Sequence, residues 1–204
     1  MPNTGQETEA KFYLRQLDKM IVRLEDLAAQ LVQPRVLETN LRFDLPAASL
    51  RSQGRVLRLR RDTTARLTYK GPSQNQQGVL GREEIEFVVE DFEKARQFLE
   101  ALGYQKSIYY EKYRTTYELD NAFIMLDELP YGKFLEIEGE TVEQIQAVSA
   151  KLNLTWDTAI GTSYTVLFEN IRQALQLPFQ DISFENFEGL QITADDMRVR
   201  AADE

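Results

Sequence analysis

The sequence predicts an α+β fold in which an antiparallel β-barrel is flanked by helices. Three patterns support this prediction: short segments that alternate charged and apolar residues, longer segments with apolar residues three or four positions apart, and turn residues between neighbouring segments. Asp62, Thr63 and Thr64, for example, separate two alternating segments and indicate a hairpin. Hydrophobic residues make up 43% of the 204 positions, which is enough for a sizeable core.

The charge balance and the missing residue types limit the functions that the chain can have. With 24 Lys and Arg against 33 Asp and Glu, the net charge is -9, which argues against duplex nucleic acid or an anionic membrane as a partner. Cys and His are absent, which excludes disulfides, thiolate or imidazole metal sites, and histidine bases. A bound metal would need oxygen ligands, which favours Mg²⁺ or Mn²⁺. Without Cys, a long apolar run or a signal-peptide pattern, we expect a cytoplasmic protein.

Eight strands and four helices are predicted from these periods. The strands cover residues 8–12, 36–43, 55–61, 65–70, 83–89, 109–119, 122–127 and 134–138. The helices cover residues 14–31, 91–102, 141–152 and about 162–175. Pro34 is predicted to end the first helix, and residues 71–81 are predicted to form a loop.

Charged residues occupy one face of most predicted strands. Residues i and i+2 of a strand point the same way, so Arg58 and Arg60 share a face, as do Glu136 and Glu138. If the sheet closes with these faces inward, it encloses cations and carboxylates, whose burial costs free energy unless they pair or bind a ligand. A polyanion with bound metal would satisfy both sets. The alternative is an ordinary barrel whose charged faces point to solvent.

Eight motifs follow one another along the chain in a specific order. They are Glu7-Thr8-Glu9-Ala10-Lys11, Phe43-Asp44, Leu57-Arg58-Leu59-Arg60, Leu67-Thr68-Tyr69-Lys70-Gly71-Pro72, Arg82-Glu83-Glu84-Ile85-Glu86, Lys112-Tyr113-Arg114, Leu126-Asp127-Glu128 followed by Gly132, Phe134 and Glu136-Ile137-Glu138, and Ser163-Tyr164. From residue 7 to about residue 175, the series resembles the CYTH superfamily, also called the triphosphate tunnel metalloenzymes.

The resemblance implies an eight-stranded antiparallel tunnel that binds a small-molecule triphosphate with one or two Mg²⁺ or Mn²⁺ ions. The metal ligands that it implies are Glu7, Glu9, Glu136, Glu138 and Asp127. The phosphate-binding residues that it implies are Lys11, Arg58, Arg60, Lys70, Lys112 and Arg114. The catalytic residues that it implies are Lys11, Lys112, Asp127, Glu84 and Glu86.

The reaction that the resemblance implies depends on the nucleophile. If water attacks the terminal phosphorus, the protein is a metal-dependent hydrolase of tripolyphosphate, thiamine triphosphate or a nucleoside triphosphate. If a ribose 3′-hydroxyl attacks the α-phosphorus, it is a class IV adenylyl cyclase. A non-catalytic triphosphate- or polyphosphate-binding protein is the third alternative. Two positions depart from the family pattern: Arg42 stands where an aromatic residue is common, and Thr162 stands where triphosphatases often have Lys, which weakens the case for hydrolysis.

The chain is predicted to consist of a tunnel domain over residues 1–177 and an acidic C-terminal extension over residues 178–204. The large apolar residues of the extension are Phe179, Ile182, Phe184, Phe187, Leu190 and Ile192. They lead us to expect that part of the extension packs on the barrel or on the second subunit of a homodimer. The end of the chain, from Ala194 onward, is expected to be disordered.

Overall fold

A computed structural model describes residues 6–76 and 78–204 of the chain. The first five residues of the predicted tunnel domain, and Gln77 in the predicted loop, lie outside the described residues. The strands are β1 (Gln6–Leu14), β2 (Gln30–Asp44), β3 (Val56–Arg61), β4 (Ala65–Lys70), β5 (Gln74–Gln76), β6 (Val79–Val89), β7 (Gln105–Leu119), β8 (Ala122–Leu129) and β9 (Gly132–Glu138). The helices are α1 (Leu17–Asp26), α2 (Ser49–Ser52), α3 (Phe92–Ala101), α4 (Val142–Lys151), α5 (Tyr164–Leu175) and α6 (Ala194–Met197).

Eight of these strands close into an antiparallel barrel. Their order around the barrel is β1-β9-β8-β7-β2-β3-β4-β6, and the pairing of β6 with β1 completes the circle, with Glu7 opposite Arg82. The short β5 pairs with β6 and lies outside the ring. The predicted α+β fold, with an eight-stranded antiparallel barrel flanked by helices, is therefore confirmed.

The segment between α1 and β2 differs from its prediction. Helix α1 ends at Asp26, and Ala28 adopts a left-handed backbone conformation with φ of 55°. Pro34 does not end a helix; it lies within β2, where the pairing with β7 shifts register between Gln33 and Val36. Proline has no N–H to donate to a neighbouring strand, and a local irregularity of the ladder is where a strand tolerates it.

The two faces of the barrel wall have opposite chemistry. On β1, β8 and β9 one set of alternating residues, which includes Phe12, Ile124 and Ile137, packs against α1 and α4 in a large apolar cluster. The alternate residues point into the barrel. A second apolar cluster, which includes Phe134 on β9 and Phe168 on α5, fills one part of the barrel and its flank. The remaining interior is charged and forms a cavity.

The C-terminal segment after α5 follows the barrel wall. Ile182 forms a parallel bridge with Tyr110, and Ala201 forms another with Tyr13. The carboxylate of Asp203 accepts hydrogen bonds from the backbone N–H groups of Arg15 and Gln16, immediately before α1. This segment therefore contacts strands from both halves of the barrel. Among the described helices, none is both long and apolar enough to cross a membrane.

Candidate active site

The cavity inside the barrel has a volume of about 970 Å³. Its wall consists of inward-pointing side chains of the strands, together with the residues around the N-terminus of α5. A space of this size accommodates a ligand of several hundred daltons. Because most of the wall is charged, the ligand that fits it is ionic.

The deepest charged residue of the barrel is Asp127, whose side chain has no solvent exposure. Its carboxylate accepts a hydrogen bond from Lys112 Nζ at 2.8 Å and two from Arg114, from Nε and from Nη2, both at 2.6 Å. The buried hydroxyl of Tyr164 donates to the same carboxylate at 2.8 Å. Asp127 lies outside the cavity lining, whereas Lys112, Arg114 and Tyr164 belong to it. Asp127 therefore fixes the position of the two cations that face the cavity.

Glu136 and Lys11 continue this network on β9 and β1. Glu136 lies 2.5 Å from Arg114 Nη2 and 3.0 Å from Lys11 Nζ. Burial raises the pKa of Glu136, but the attraction of Lys11 and Arg114 outweighs burial and holds that pKa well below its usual range. Lys11 also lies over the ring of Tyr164, with Nζ 4.3 Å from the ring centre. We call Lys11, Lys112, Arg114, Asp127 and Glu136 the paired centre.

Two further carboxylates hold the arginines of β3. Glu86 accepts hydrogen bonds from Arg60 at 3.0 Å and from the hydroxyl of Thr68 at 2.7 Å, and it lies 3.5 Å from Arg58. Glu38, only 1% exposed, lies 3.4 Å from Arg60 and 3.7 Å from Lys112. Burial raises the pKa of Glu38, but the nearby cations, Lys112 first among them, lower it far below its usual range. The Nε atoms of Arg58 and Arg60 are buried without a hydrogen-bond partner among the described residues.

Glu7 on β1 is also neutralised by cations. Lys70 Nζ lies 2.5 Å and Arg82 Nε lies 2.8 Å from its carboxylate oxygens. Burial raises the pKa of Glu7, but Lys70 and Arg82 together lower it to about 2. Glu7 is therefore ionised and occupied by protein partners.

Three other carboxylates on the cavity wall are less fully compensated than Glu7, and we call Glu9, Glu84 and Glu138 the acidic patch. Of these, Glu84 shares Lys70, 3.2 Å away, with Glu7. The closest cation to Glu9 lies 3.8 Å away, and within residues 6–76 and 78–204 Glu138 has no salt-bridge partner. Burial and the charges of Glu7 and Glu9 raise the pKa of Glu138 to about 7. The pKa values of Glu9 and Glu84 are raised as well, chiefly by burial. These carboxylates repel one another and would be relieved by a cation.

Arg42, Arg51 and Arg58 form a group of the opposite sign, which we call the basic patch. All three line the cavity. Arg42 donates a hydrogen bond to the hydroxyl of Thr165, on α5, at 2.7 Å, and in the described part of the chain no carboxylate lies within salt-bridge distance of it. Burial and the neighbouring arginines lower the pKa of Arg42. An anion placed here would relieve the repulsion among these guanidinium groups.

The CYTH domain family model matches residues 5–161 of the sequence, more than half of the chain. This chain belongs to the CYTH family. A Methanocaldococcus jannaschii protein, named as a candidate adenylate cyclase, is 28% identical over 172 residues, which are 79% of this chain and 97% of that protein. The family relationship therefore extends over nearly the whole length of this relative.

Solved structures share the CYTH barrel. A candidate adenylate cyclase from Vibrio parahaemolyticus has a TM-score of 0.73 and 20% identity, covering 81% of this chain and 99% of that one. A Hippeastrum protein, described as a candidate adenylyl cyclase with a dominant triphosphatase activity, has a TM-score of 0.61 and 18% identity, covering 80% of this chain and 95% of that one. At these identities the likeness concerns the fold alone.

The carboxylates of this CYTH protein fit a hard divalent metal in a specific way. Among the described residues, no three acidic side chains lie close enough together to form a complete metal site. Glu9 and Glu138, however, face each other directly across β1 and β9, and neither has a close cation. Mg²⁺ is commonly held by one or two carboxylates, with water and substrate phosphates as the remaining ligands. The pair fits this arrangement, whereas Glu7 and Glu136 are occupied by cations.

The structure brings the residues implied by the family resemblance to one cavity, with Asp127 immediately behind its wall. It also places residues there that the sequence-based assignment lacked. These are Arg42, Arg51, Arg82 and Tyr164 on the cavity wall, and Glu38 behind it, against Arg60 and Lys112. Three of them were marked in the sequence, by the Ser163-Tyr164 motif, by the departure at Arg42 and by the motif that begins at Arg82. Glu38 carried no signal, because a single charge on a strand is ordinarily exposed to solvent.

Proposed function

We propose that this CYTH protein is a divalent-metal-dependent hydrolase of triphosphate substrates. The observation that supports this function best is the charge distribution of the cavity. Its wall carries an acidic patch in which Glu138 has no salt-bridge partner among the described residues, and a basic patch in which the same is true of Arg42; the paired centre lies with them in the same barrel. A metal-bound triphosphate satisfies both patches, since the metal binds carboxylates and the phosphates bind guanidinium and ammonium groups.

The phosphates would be bound by the cations that face the cavity. From the cations on the cavity wall, we assign this role to Lys11, Arg42, Arg51, Arg58, Arg60, Lys70, Lys112 and Arg114. Asp127, Glu38 and Glu86 hold several of these cations in fixed positions, so they act as positioning residues. Fixed donors of this kind stabilise the charge that develops in phosphoryl transfer.

Mg²⁺ or Mn²⁺ would be held by Glu9 and Glu138, with Glu84 on the same side of the cavity. When bound, the ion neutralises phosphate charge and lowers the pKa of a water ligand. Glu84 is suited to accept the proton of the attacking water, because burial raises the pKa of its carboxyl above the ordinary value. Lys70 Nζ, 3.2 Å away, keeps Glu84 directed into the cavity.

A substrate panel tests the proposed hydrolysis. The protein is incubated with tripolyphosphate, thiamine triphosphate or ATP in Mg²⁺ and then in Mn²⁺, and phosphate, pyrophosphate and cyclic AMP are all quantified. We expect the protein to release orthophosphate, and we expect this release to stop when EDTA is added. Glu138→Gln should reduce the rate of release by at least about 100-fold. The matched control is Glu100→Gln, a half-exposed carboxylate on α3 that pairs with Arg96 outside the barrel. Phosphate release that persists in EDTA would overturn the proposal.

Adenylyl cyclase activity is the second candidate function, and the name of the Methanocaldococcus jannaschii relative favours it. The same cavity would then bind the triphosphate of ATP while the ribose 3′-hydroxyl attacks the α-phosphorus. Cyclic AMP and pyrophosphate formed in equal amounts would identify this reaction. Tight binding of tripolyphosphate without turnover would instead identify a non-catalytic triphosphate-binding protein.

A further inference from the structure

Phe123 and Met125 are apolar residues among the many charged residues of the inner barrel wall. Along β8, the residues Ala122, Ile124 and Leu126 point outward into the large apolar cluster. Because side chains alternate along a strand, Phe123 and Met125 point inward, in the same direction as Asp127. Both line the cavity. Their position in the barrel therefore requires an explanation other than core packing.

Neither side chain is part of an apolar cluster. Phe123 and Met125 belong to none of the three apolar clusters formed by the described residues, although Met125 is only 5% exposed. The ring of Phe123 is half-buried and has no aromatic partner in the described part of the chain. By contrast, Phe134 on β9, which lies opposite Asp127, packs against Tyr13, Tyr131 and Tyr164. An aromatic face on the cavity wall is thus left for a ligand.

The location of this pair relates it to the proposed metal and phosphate sites. Phe123 lies opposite Glu138, and Met125 lies opposite Glu136, in the register of β8 and β9. Asn121, in the turn before β8, also lines the cavity and adds an amide that can donate and accept hydrogen bonds. A ligand whose phosphates reach the paired centre therefore has room to extend past Glu136 toward Phe123.

We infer that Phe123 and Met125 form a subsite for a flat heterocycle attached to the triphosphate. The inference rests on the proposed function and narrows its substrate class to organic triphosphates, such as nucleoside triphosphates or thiamine triphosphate, rather than inorganic tripolyphosphate. Phosphate oxygens gain nothing from an apolar wall, whereas a heterocycle stacks on an aromatic face and contacts the polarisable thioether of methionine. The amide of Asn121 is placed to bind ring nitrogen or amino groups at the edge.

Comparison of three substrates on one variant tests the subsite. Phe123→Leu keeps an apolar side chain but removes the aromatic face, and Phe123→Tyr restores that face. For Phe123→Leu we expect kcat/KM with ATP or thiamine triphosphate to fall about tenfold or more, while kcat/KM with tripolyphosphate changes less than about twofold. Phe123→Tyr should retain activity close to that of the wild type. The substrate with the larger loss identifies the ring that the subsite binds.

Phe98→Leu is the matched control, because Phe98 lies on α3 outside the barrel and is 63% exposed. Equal losses on all three substrates, or no loss on any of them, would overturn the subsite while leaving the proposed hydrolysis intact. If the wild type releases no phosphate, the hydrolysis proposal fails on its own. In that case we still expect Phe123→Leu to weaken the binding of ATP but not of tripolyphosphate, and calorimetry with Mg²⁺ measures both affinities. Wild-type protein that binds neither compound would overturn both proposals.

Discussion

The paired centre and the acidic patch lie in the same barrel but are electrostatically opposite. In the paired centre, Asp127 and Glu136 each contact two cations at 3.0 Å or less. In the acidic patch, Glu138 has no cation partner within the described residues, and burial with neighbouring carboxylates raises its pKa to about 7. Glu84 and Glu138 are less buried than Asp127 and Glu136, so the higher pKa of Glu138 reflects the partners that the fold supplies and not deeper burial.

In the paired centre, protein cations neutralise the carboxylates, whereas in the acidic patch they do so only in part. Ion pairs buried in a protein bring little net stability, but removing one partner leaves an isolated charge at a high cost. Replacing a charged residue of the paired centre by a neutral one should therefore destabilise the protein. Replacing a carboxylate of the acidic patch by a neutral residue should stabilise the protein but reduce its activity. Mutations in the two regions should thus have opposite effects on unfolding.

The largest effect on stability is expected from Asp127→Asn. The change removes the charge that neutralises Lys112 and Arg114 in a site without solvent exposure. We expect a loss of about 3–5 kcal/mol in the free energy of unfolding, measured by urea denaturation. Asp120→Asn is the control, because Asp120 forms an exposed pair with Lys151 and should change stability by less than about 1 kcal/mol. Equal, small losses for both variants would contradict the role of the paired centre.

Glu138→Gln should have the opposite effect on stability. Without metal at pH 8, the wild-type carboxylate is ionised beside Glu7 and Glu9, and the uncharged amide relieves this repulsion. We expect the metal-free variant to be more stable than the wild type, by at most about 3 kcal/mol, because each pKa unit corresponds to about 1.4 kcal/mol. Added Mg²⁺ should stabilise the wild type and not the variant. Thermal unfolding in EDTA and in Mg²⁺ measures both effects, and a variant less stable than the wild type in EDTA would exclude the assignment.

Part of this contrast could be predicted from the sequence, and the rest depended on the fold. The alternation of charged and apolar residues predicted which side chains share a strand face, and Asp91 and Thr141, the first residues of two predicted helices, cap those helices. Alternation alone does not say which face points inward. For that reason the sequence did not place Phe123 in the cavity. It also did not show which carboxylates have a Lys or Arg partner and which do not. Tyr164 reaches Asp127 across 37 positions, a contact that no local pattern contains.

The pH dependence of stability sharpens the comparison between Glu138 and Glu7. The pKa of Glu138 is raised to about 7, so the folded protein binds more protons than the unfolded chain between about pH 4.5 and 7, and stability falls as pH rises through this range. The pKa of Glu7 is lowered to about 2, so its contribution is present above about pH 4.5 and is lost as pH falls toward 2. The chain has no His, so imidazoles add nothing to this range.

In EDTA, the free energy of unfolding should therefore be highest near pH 5 and decrease toward pH 8. Glu138→Gln should flatten this decrease, and Mg²⁺, which binds the ionised carboxylate, should reduce it in the wild type. Urea denaturation at a series of pH values measures each curve. A stability that rises from pH 5 to pH 8 in EDTA would be incompatible with a poorly compensated acidic patch.

The smallest expected effect concerns the basic patch. Arg42→Gln removes a guanidinium group that repels its neighbours but retains an amide for the hydroxyl of Thr165. Its affinity for tripolyphosphate, measured by calorimetry, should fall about tenfold, whereas its stability without ligand should stay equal or rise slightly. Arg96→Gln on α3, whose partners are the surface carboxylates Glu93 and Glu100, should leave tripolyphosphate affinity unchanged. If Arg42→Gln left the affinity unchanged, the basic patch would not be the phosphate site, and the guanidinium group of Arg42 would need another anion.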